Sequence, residues 1–146
     1  MTAGFPPPGD EHWAATEAEL LDLAQRARES AYAPYSRFRV GAAVMSADGR
    51  VFTGANVENA AYAATICAER VAIVAAVAAG ALDLIALAVV CDGETPCTPC
   101  GTCRQVAFEF APSLRVLAGG ADGSVARYIL AVDLLPDGFG ASRLTP

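Results

Sequence analysis

Three cysteines fall within seven residues, Cys97, Cys100 and Cys103, and a fourth, Cys67, stands about thirty residues upstream in Cys67-Ala68-Glu69. A C-x-x-C pair at the start of a helix brings two sulfurs to one point, and Cys67 at the start of another helix supplies a third. Helix N-termini favour anions, so both places favour the thiolate that metals require. Three soft ligands suit zinc, and three protein ligands leave a fourth position open for water, as in a catalytic site; a closed four-cysteine site would be structural. Glu69, two residues after a candidate ligand, is placed to take a proton from such a water and hand it on. The plain alternative is a first-turn glutamate stabilised by the helix dipole. Cys97-x-x-Cys100 has the same spacing as Cys100-x-x-Cys103, so the spacing alone admits either pair. Cys91 ends an apolar run and reads as a packing residue.

These residues need elements to hold them. Thr16 to Ala31 carries an apolar stripe at helical spacing (Leu20, Leu23, Ala24, Ala27, Ala31), with Thr16 and Glu19 at capping-box spacing and Pro34 beyond the end. Phe38 to Met45 and Val51 to Asn56, joined by Asp48-Gly49, read as a β-hairpin. Thr65 to Ala79 is a second helix closed by Gly80. Leu84 to Cys91 is a nearly continuous apolar run, the mark of a strand covered on both faces. Gly101 to Ala111 is a third helix ended by Pro112, and Leu114 to Ala118 and Val125 to Leu130 are further strands. The order α-β-β-α-β-α-β-β predicts an α/β fold: a three-layer α/β/α sandwich around a mixed sheet of about five strands. Residues 1–13, Pro-rich and without periodicity, read as a flexible tail, and 14–146 as a single domain.

Composition narrows the partners. Net charge is -6 over 146 residues, and no basic stripe is present, which disfavours nucleic acid and an anionic membrane surface. The longest apolar run, Val71 to Ala88, is broken by Gly80 and Asp83, so no span is expected. The first residues lack a basic and an apolar region of signal-peptide type. Five cysteines, odd in number and clustered, fit metal binding in a reducing cytoplasm better than a disulfide framework. Hydrophobic residues make up 54% of the chain, a surplus suited to a subunit interface.

Four ordered segments carry a resemblance. Cys67-Ala68-Glu69 with Pro99-Cys100-Gly101-Thr102-Cys103-Arg104-Gln105 resembles the zinc site of the cytidine deaminase family. Tyr35-Ser36-Arg37-Phe38-Arg39-Val40-Gly41-Ala42-Ala43 resembles its Y-S-x-F-x-V-G-A-A segment, and Asn56-Val57-Glu58-Asn59-Ala60-Ala61-Tyr62 its N-V-E-N-A-x-Y segment. Leu134-Leu135-Pro136-Asp137-Gly138-Phe139 resembles its L-L-P-x-x-F. With Cys67 rather than His as the first ligand, and with the single His at position 12, the likeness is to the small homotetrameric type acting on free nucleosides.

The resemblance implies one Zn²⁺ per chain on Cys67, Cys100 and Cys103, and hydrolysis of cytidine and 2′-deoxycytidine to uridine and 2′-deoxyuridine plus ammonia, a step in pyrimidine salvage. It implies Glu69 as the proton shuttle between a zinc-activated water, N3 and the leaving ammonia. It places the Ala68 backbone and Phe38 at the base, Asn56 and Glu58 at the ribose 3′-hydroxyl, and Phe139 in the active site of a neighbouring chain. Phe38 would otherwise be an ordinary strand core residue. Three thiolates and Zn²⁺ sum to one negative charge, so a cation that draws density from the sulfurs is expected; Arg70 resembles the family arginine in that role, and Arg104 is a second candidate. Two other readings remain: a deaminase of a cytosine-bearing antibiotic such as blasticidin, and a structural zinc module for protein interaction, in which Glu69 would have no part.

Overall fold

A computed structural model of the chain describes residues 11–144. Five strands form one mixed sheet in the order β2-β1-β3-β4-β5, with β1 at Val40–Ser46, β2 at Val51–Ala55, β3 at Leu84–Cys91, β4 at Arg115–Gly119 and β5 at Val125–Ile129. Only the β3–β4 pair is parallel; β1 pairs antiparallel with β2 and with β3, and β4 with β5. The helices α1 (Glu11–Arg28), α2 (Ala68–Ala78) and α3 (Gly101–Phe110) complete the expected order.

The sandwich follows from side-chain alternation. Ala42 and Val44 of β1 and Leu87 and Val89 of β3 point to one face, where they pack with Ala72, Ile73 and Ala76 of α2 and Ala107 of α3. Ala43 and Met45, with Ala86, Ala88 and Val90, point to the other and meet Trp13, Leu20 and Ala24 of α1. Period-2 alternation on the strands thus sorts the helices onto opposite faces. Two glycines admit them closely: a Cβ on Gly41 would lie 2.0 Å from the Ala24 carbonyl oxygen, and one on Gly54 would lie 2.5 Å from the Ala68 carbonyl oxygen. The second approach sets the N-terminus of α2 against the sheet.

The expected hairpin forms, with the Gly49 amide donating to the Ser46 carbonyl at 2.9 Å. Its first strand starts at Val40 instead of Phe38. The largest departure is α1. It begins at Glu11 instead of Thr16, so Thr16 and Glu19 lie inside the helix and form no cap; residues 1–10 of the expected tail lie outside the described residues. Trp13 supplies the reason. Its side chain is buried against the sheet beneath the Arg115 guanidinium, 4.6 Å from the ring centroid, and it extends the buried stripe Glu17, Leu20, Ala24 one turn toward the N-terminus. Glu17 on the same stripe pairs with Arg127 of β5 at 2.7 Å. At the other end, α1 stops at Arg28, whose guanidinium donates to the Cys91 carbonyl at 3.0 Å. Helix α2 starts at Ala68, with Cys67 at the N-cap position, because Thr65 closes a separate 3-10 turn at Tyr62–Ala64. After β5 the chain enters a π-helical turn, Leu130–Leu134, in place of a longer strand.

Candidate metal centre and flanking pocket

Cys67 and Cys100 are the N-cap residues of α2 and α3, and neither side chain caps its helix. Their sulfurs are therefore free to point at each other, 3.8 Å apart. Cys103, in the first turn of α3 and 1% exposed, completes the group: the three Sγ atoms lie within 4.8 Å of one another. Two helix N-termini, with their unpartnered amides, converge on this point. Tetrahedral ligands with Zn–S bonds of about 2.3 Å have S···S edges of about 3.8 Å, so the donor set fits zinc in chemistry and in span. Cys97 is not part of the group. It packs against the apolar core, and burial, followed by hydrogen bonding with Cys91, raises its thiol pKa. Cys91 is 2% exposed, as its place in an apolar run requires.

The electrostatics divide the three sulfurs. A hydrogen bond from Cys103, then the contact with Arg70, holds the Cys67 thiol down at about 5, while Cys103 is raised by sharing its proton with Cys67 and by burial. Arg70 Nη2 donates to Cys67 Sγ at 3.7 Å and to the Thr65 carbonyl at 3.3 Å. Its Nε is buried and without a protein partner. Arg104, the second candidate for this place, faces elsewhere. Its nitrogens donate to the Pro99 carbonyl at 2.7 Å, the Leu134 carbonyl at 2.9 Å and Thr98 Oγ1 at 3.4 Å, tying α3 to the loop before Cys100 and to the π-helical turn.

Glu69 is 4% exposed, beside these thiols. Burial pushes its carboxyl up to about 7. A glutamate serving only the helix dipole would sit in solvent; this one is enclosed where its proton exchanges near neutrality. Ala68, at the first helical position, is fully buried.

The remaining sequence candidates lie on loops outside the helices. Asn56 and Glu58 follow β2 in a segment stitched to its neighbours by the bridges Tyr32↔Val57 and Val57↔Ile66. The Asn56 side chain, 8% exposed, accepts from the Val40 amide at 2.8 Å and donates to the Phe38 carbonyl at 2.9 Å. It therefore fixes the entry into β1, with one N–H and one lone pair left over. Phe38 precedes that strand at 42% exposure, its ring lying against Gly93, and is not a strand core residue. Glu58 lines a pocket of about 390 Å³ with Tyr35, Ser36, Tyr62 and Thr65. Tyr35 and Tyr62 meet edge to face there, with centroids 5.9 Å apart. Phe139 lies beyond the π-helical turn, its carbonyl accepting from Gln105 Nε2 at 2.8 Å and its ring 58% exposed. Sequence reasoning gave no role to Ser36 or Gln105, although both stand inside the motifs; only the folded chain shows what their polar atoms reach.

Residues 14–118 match the family described as the cytidine and deoxycytidylate deaminase zinc-binding region. A cytidine deaminase of Halalkalibacterium halodurans is 48% identical over 126 residues, which cover 86% of this chain and 95% of the relative. The crystal structure of a cytidine deaminase from Burkholderia pseudomallei superposes with a TM-score of 0.80 at 48% identity, covering 84% of this chain and 98% of that one. That of a cytidine deaminase from Mycobacterium tuberculosis gives 0.75 at 42% identity, covering 90% and 99%. Three sulfurs spaced for zinc, a buried glutamate beside them and matches across most of the chain agree: this protein belongs to the zinc-binding cytidine and deoxycytidylate deaminase family.

Proposed function

We propose that the enzyme hydrolyses the 4-amino group of cytidine and 2′-deoxycytidine, giving uridine or 2′-deoxyuridine and ammonia, in pyrimidine salvage. The observation that carries this reading is the enclosed Glu69 carboxyl, 4% exposed, beside three convergent sulfurs. Zinc on Cys67, Cys100 and Cys103 supplies, when bound, a Lewis acid that makes water nucleophilic near neutral pH. Glu69 would take the proton that water gives up and deliver it to N3 of the base; it would then take the proton of the hydroxyl added at C4 and hand it to the 4-amino group, which leaves as ammonia as the C4 carbonyl forms. The first-turn amides at Ala68, without intrahelical partners, hold the pyrimidine, and Arg70 offsets the thiolate charge through its contact with Cys67. Phe38 packs on the base. Asn56 and Glu58 receive the 3′-hydroxyl, which both substrates carry.

The reading extends to assembly. Four chains associate, and Phe139 of each completes a neighbour's site. The exposure of the Phe139 ring, together with exposed Val132 and Leu144 on the same C-terminal stretch, supports this. Location in the cytoplasm is supported by the free thiols, which a reducing compartment preserves for metal. No helix among the described residues is long and apolar enough to cross a membrane. The direct test is the ultraviolet spectrum of cytidine incubated with purified, zinc-loaded protein. The cytosine band should give way to that of uracil, with ammonia released in equal amount; an unchanged spectrum at high protein concentration rejects the reading.

A further inference from the structure

One hydroxyl joins the two ends of the candidate substrate site. Ser36 Oγ donates to Glu58 Oε1 in a short hydrogen bond and accepts the Phe38 amide at 3.0 Å. Glu58 Oε2 in turn accepts the Tyr35 amide at 2.8 Å and the Ser36 amide at 3.2 Å. Between Ser36 and Phe38 stands Arg37, a non-glycine residue with φ of +57°, a backbone conformation that side-chain-bearing residues seldom adopt without support. Its amide donates to the Ala33 carbonyl at 3.0 Å. The loop from Tyr35 to Phe38 thus closes around the Glu58 carboxylate, and the Ser36 hydroxyl is the polar side chain that faces both the carboxylate and the Phe38 backbone.

We infer that Ser36 is a positioning residue for the nucleoside: its hydroxyl orients the Glu58 carboxylate toward the sugar 3′-hydroxyl and, through the Phe38 amide, sets the height of the Phe38 ring over the base. The inference rests on the substrate placement proposed above. It explains why a serine, two residues before an exposed aromatic, stands in this segment: a hydroxyl satisfies the i+2 amide and holds the left-handed turn between them. It also leaves sugar recognition to a carboxylate already held in place. Glu58 accepts from three loop donors, the Tyr35 and Ser36 amides and the Ser36 hydroxyl, and of its about four lone-pair sites one is left, so an incoming 3′-hydroxyl adds to an aimed carboxylate and need not reorganise a free one, which lowers the ordering cost of binding.

The experiment compares Ser36→Ala and Ser36→Thr with the wild-type holoenzyme, on 2′-deoxycytidine and on 2′,3′-dideoxycytidine, which brings no 3′-hydroxyl to Glu58. Loss of a hydrogen bond to a charged group predicts a KM for deoxycytidine raised about tenfold or more in Ser36→Ala. The kcat should stay within about threefold, and the KM for dideoxycytidine should rise by clearly less. Ser36→Thr retains the hydroxyl and should keep KM near wild type. Zinc content and melting temperature, measured on each variant, should not change. An unaltered KM in Ser36→Ala overturns the inference, and so does an equal rise for both nucleosides, which would reduce Ser36 to a turn former. Absence of turnover by wild-type protein on either nucleoside would instead overturn the deaminase reading on which the inference stands.

Discussion

Cys67, Cys103 and Glu69 stand on helix starts that are anchored in the core, whereas Phe38, Glu58 and Phe139 stand on loops, Phe38 and Phe139 exposed and Glu58 half-buried. At the sulfur cluster the ligand-bearing residues are followed at once by Ala68, Ala72 and Ile73, or by Ala107, packed under the sheet. At the pocket lined by Glu58, order comes from hydrogen bonds: Asn56 to the Phe38–Val40 backbone and Glu58 to the Tyr35–Ser36 amides. A salt bridge at Asp92 adds to this, accepting from Arg39 at 3.1 Å and Arg28 at 3.0 Å, and pinning the start of β1 to the end of β3. The contrast suits the two tasks. A reacting group must be held to a fraction of an ångström. In the proposed reaction, a sugar and a base would be gripped by groups that must let them enter and leave.

The comparison breaks first, if it breaks, at the cysteines. Cys100→Ala should abolish zinc binding and turnover and lower the melting temperature, because metal binding and folding are coupled when ligands join two helices. Cys97→Ser should retain one zinc per chain and near-normal turnover; loss of zinc from this variant, measured by elemental analysis, would place Cys97 among the ligands. The next effect in size is Glu69→Gln, which keeps shape and removes basicity. Zinc content and fold should survive while kcat falls by about 10²–10⁴-fold, and near-normal turnover would exclude Glu69 as the proton carrier. The smallest effect belongs to the loop side. Phe139→Ala should lose the equivalent of about 1–3 kcal/mol of stacking on a base. Refolding Phe139→Ala with Glu69→Gln chains in the presence of zinc should give more activity than the mean of the two refolded separately, since some mixed assemblies would then hold one complete site. With mixed assemblies confirmed by mass, and Phe139→Ala impaired alone, no gain would confine Phe139 to its own chain.

How much of this was legible without coordinates differs between the same two regions. Leu84–Cys91 could be bounded residue by residue, because a strand buried on both faces is an unbroken apolar run with polar ends. The cysteine spacing identified the metal centre as a class of site but left two possible pairs. The start of α1 was misplaced because Thr16 and Glu19 have the local chemistry of a cap, whereas Trp13, two residues beyond the true start at Glu11, is held by Arg115 about a hundred residues away. Arg104 illustrates the same limit: a cation next to a ligand reads as a partner for thiolate, yet its three hydrogen bonds go to backbone and hydroxyl groups of Pro99, Leu134 and Thr98.

The sequence by itself determined which elements form and which chemistry they can carry, since hydrophobic periodicity and ligand type are local properties of the chain. The family resemblance already pointed to Cys67, Cys100 and Cys103 and to Arg70, but only the tertiary structure brings these groups together while Cys97 turns into the core and Arg104 faces elsewhere, and only it shows Ser36 meeting Glu58, 22 positions further along the chain. Each of those outcomes depends on directions in space set by packing α2 and α3 on one face of a twisted sheet, and a linear order of residues carries no such directions.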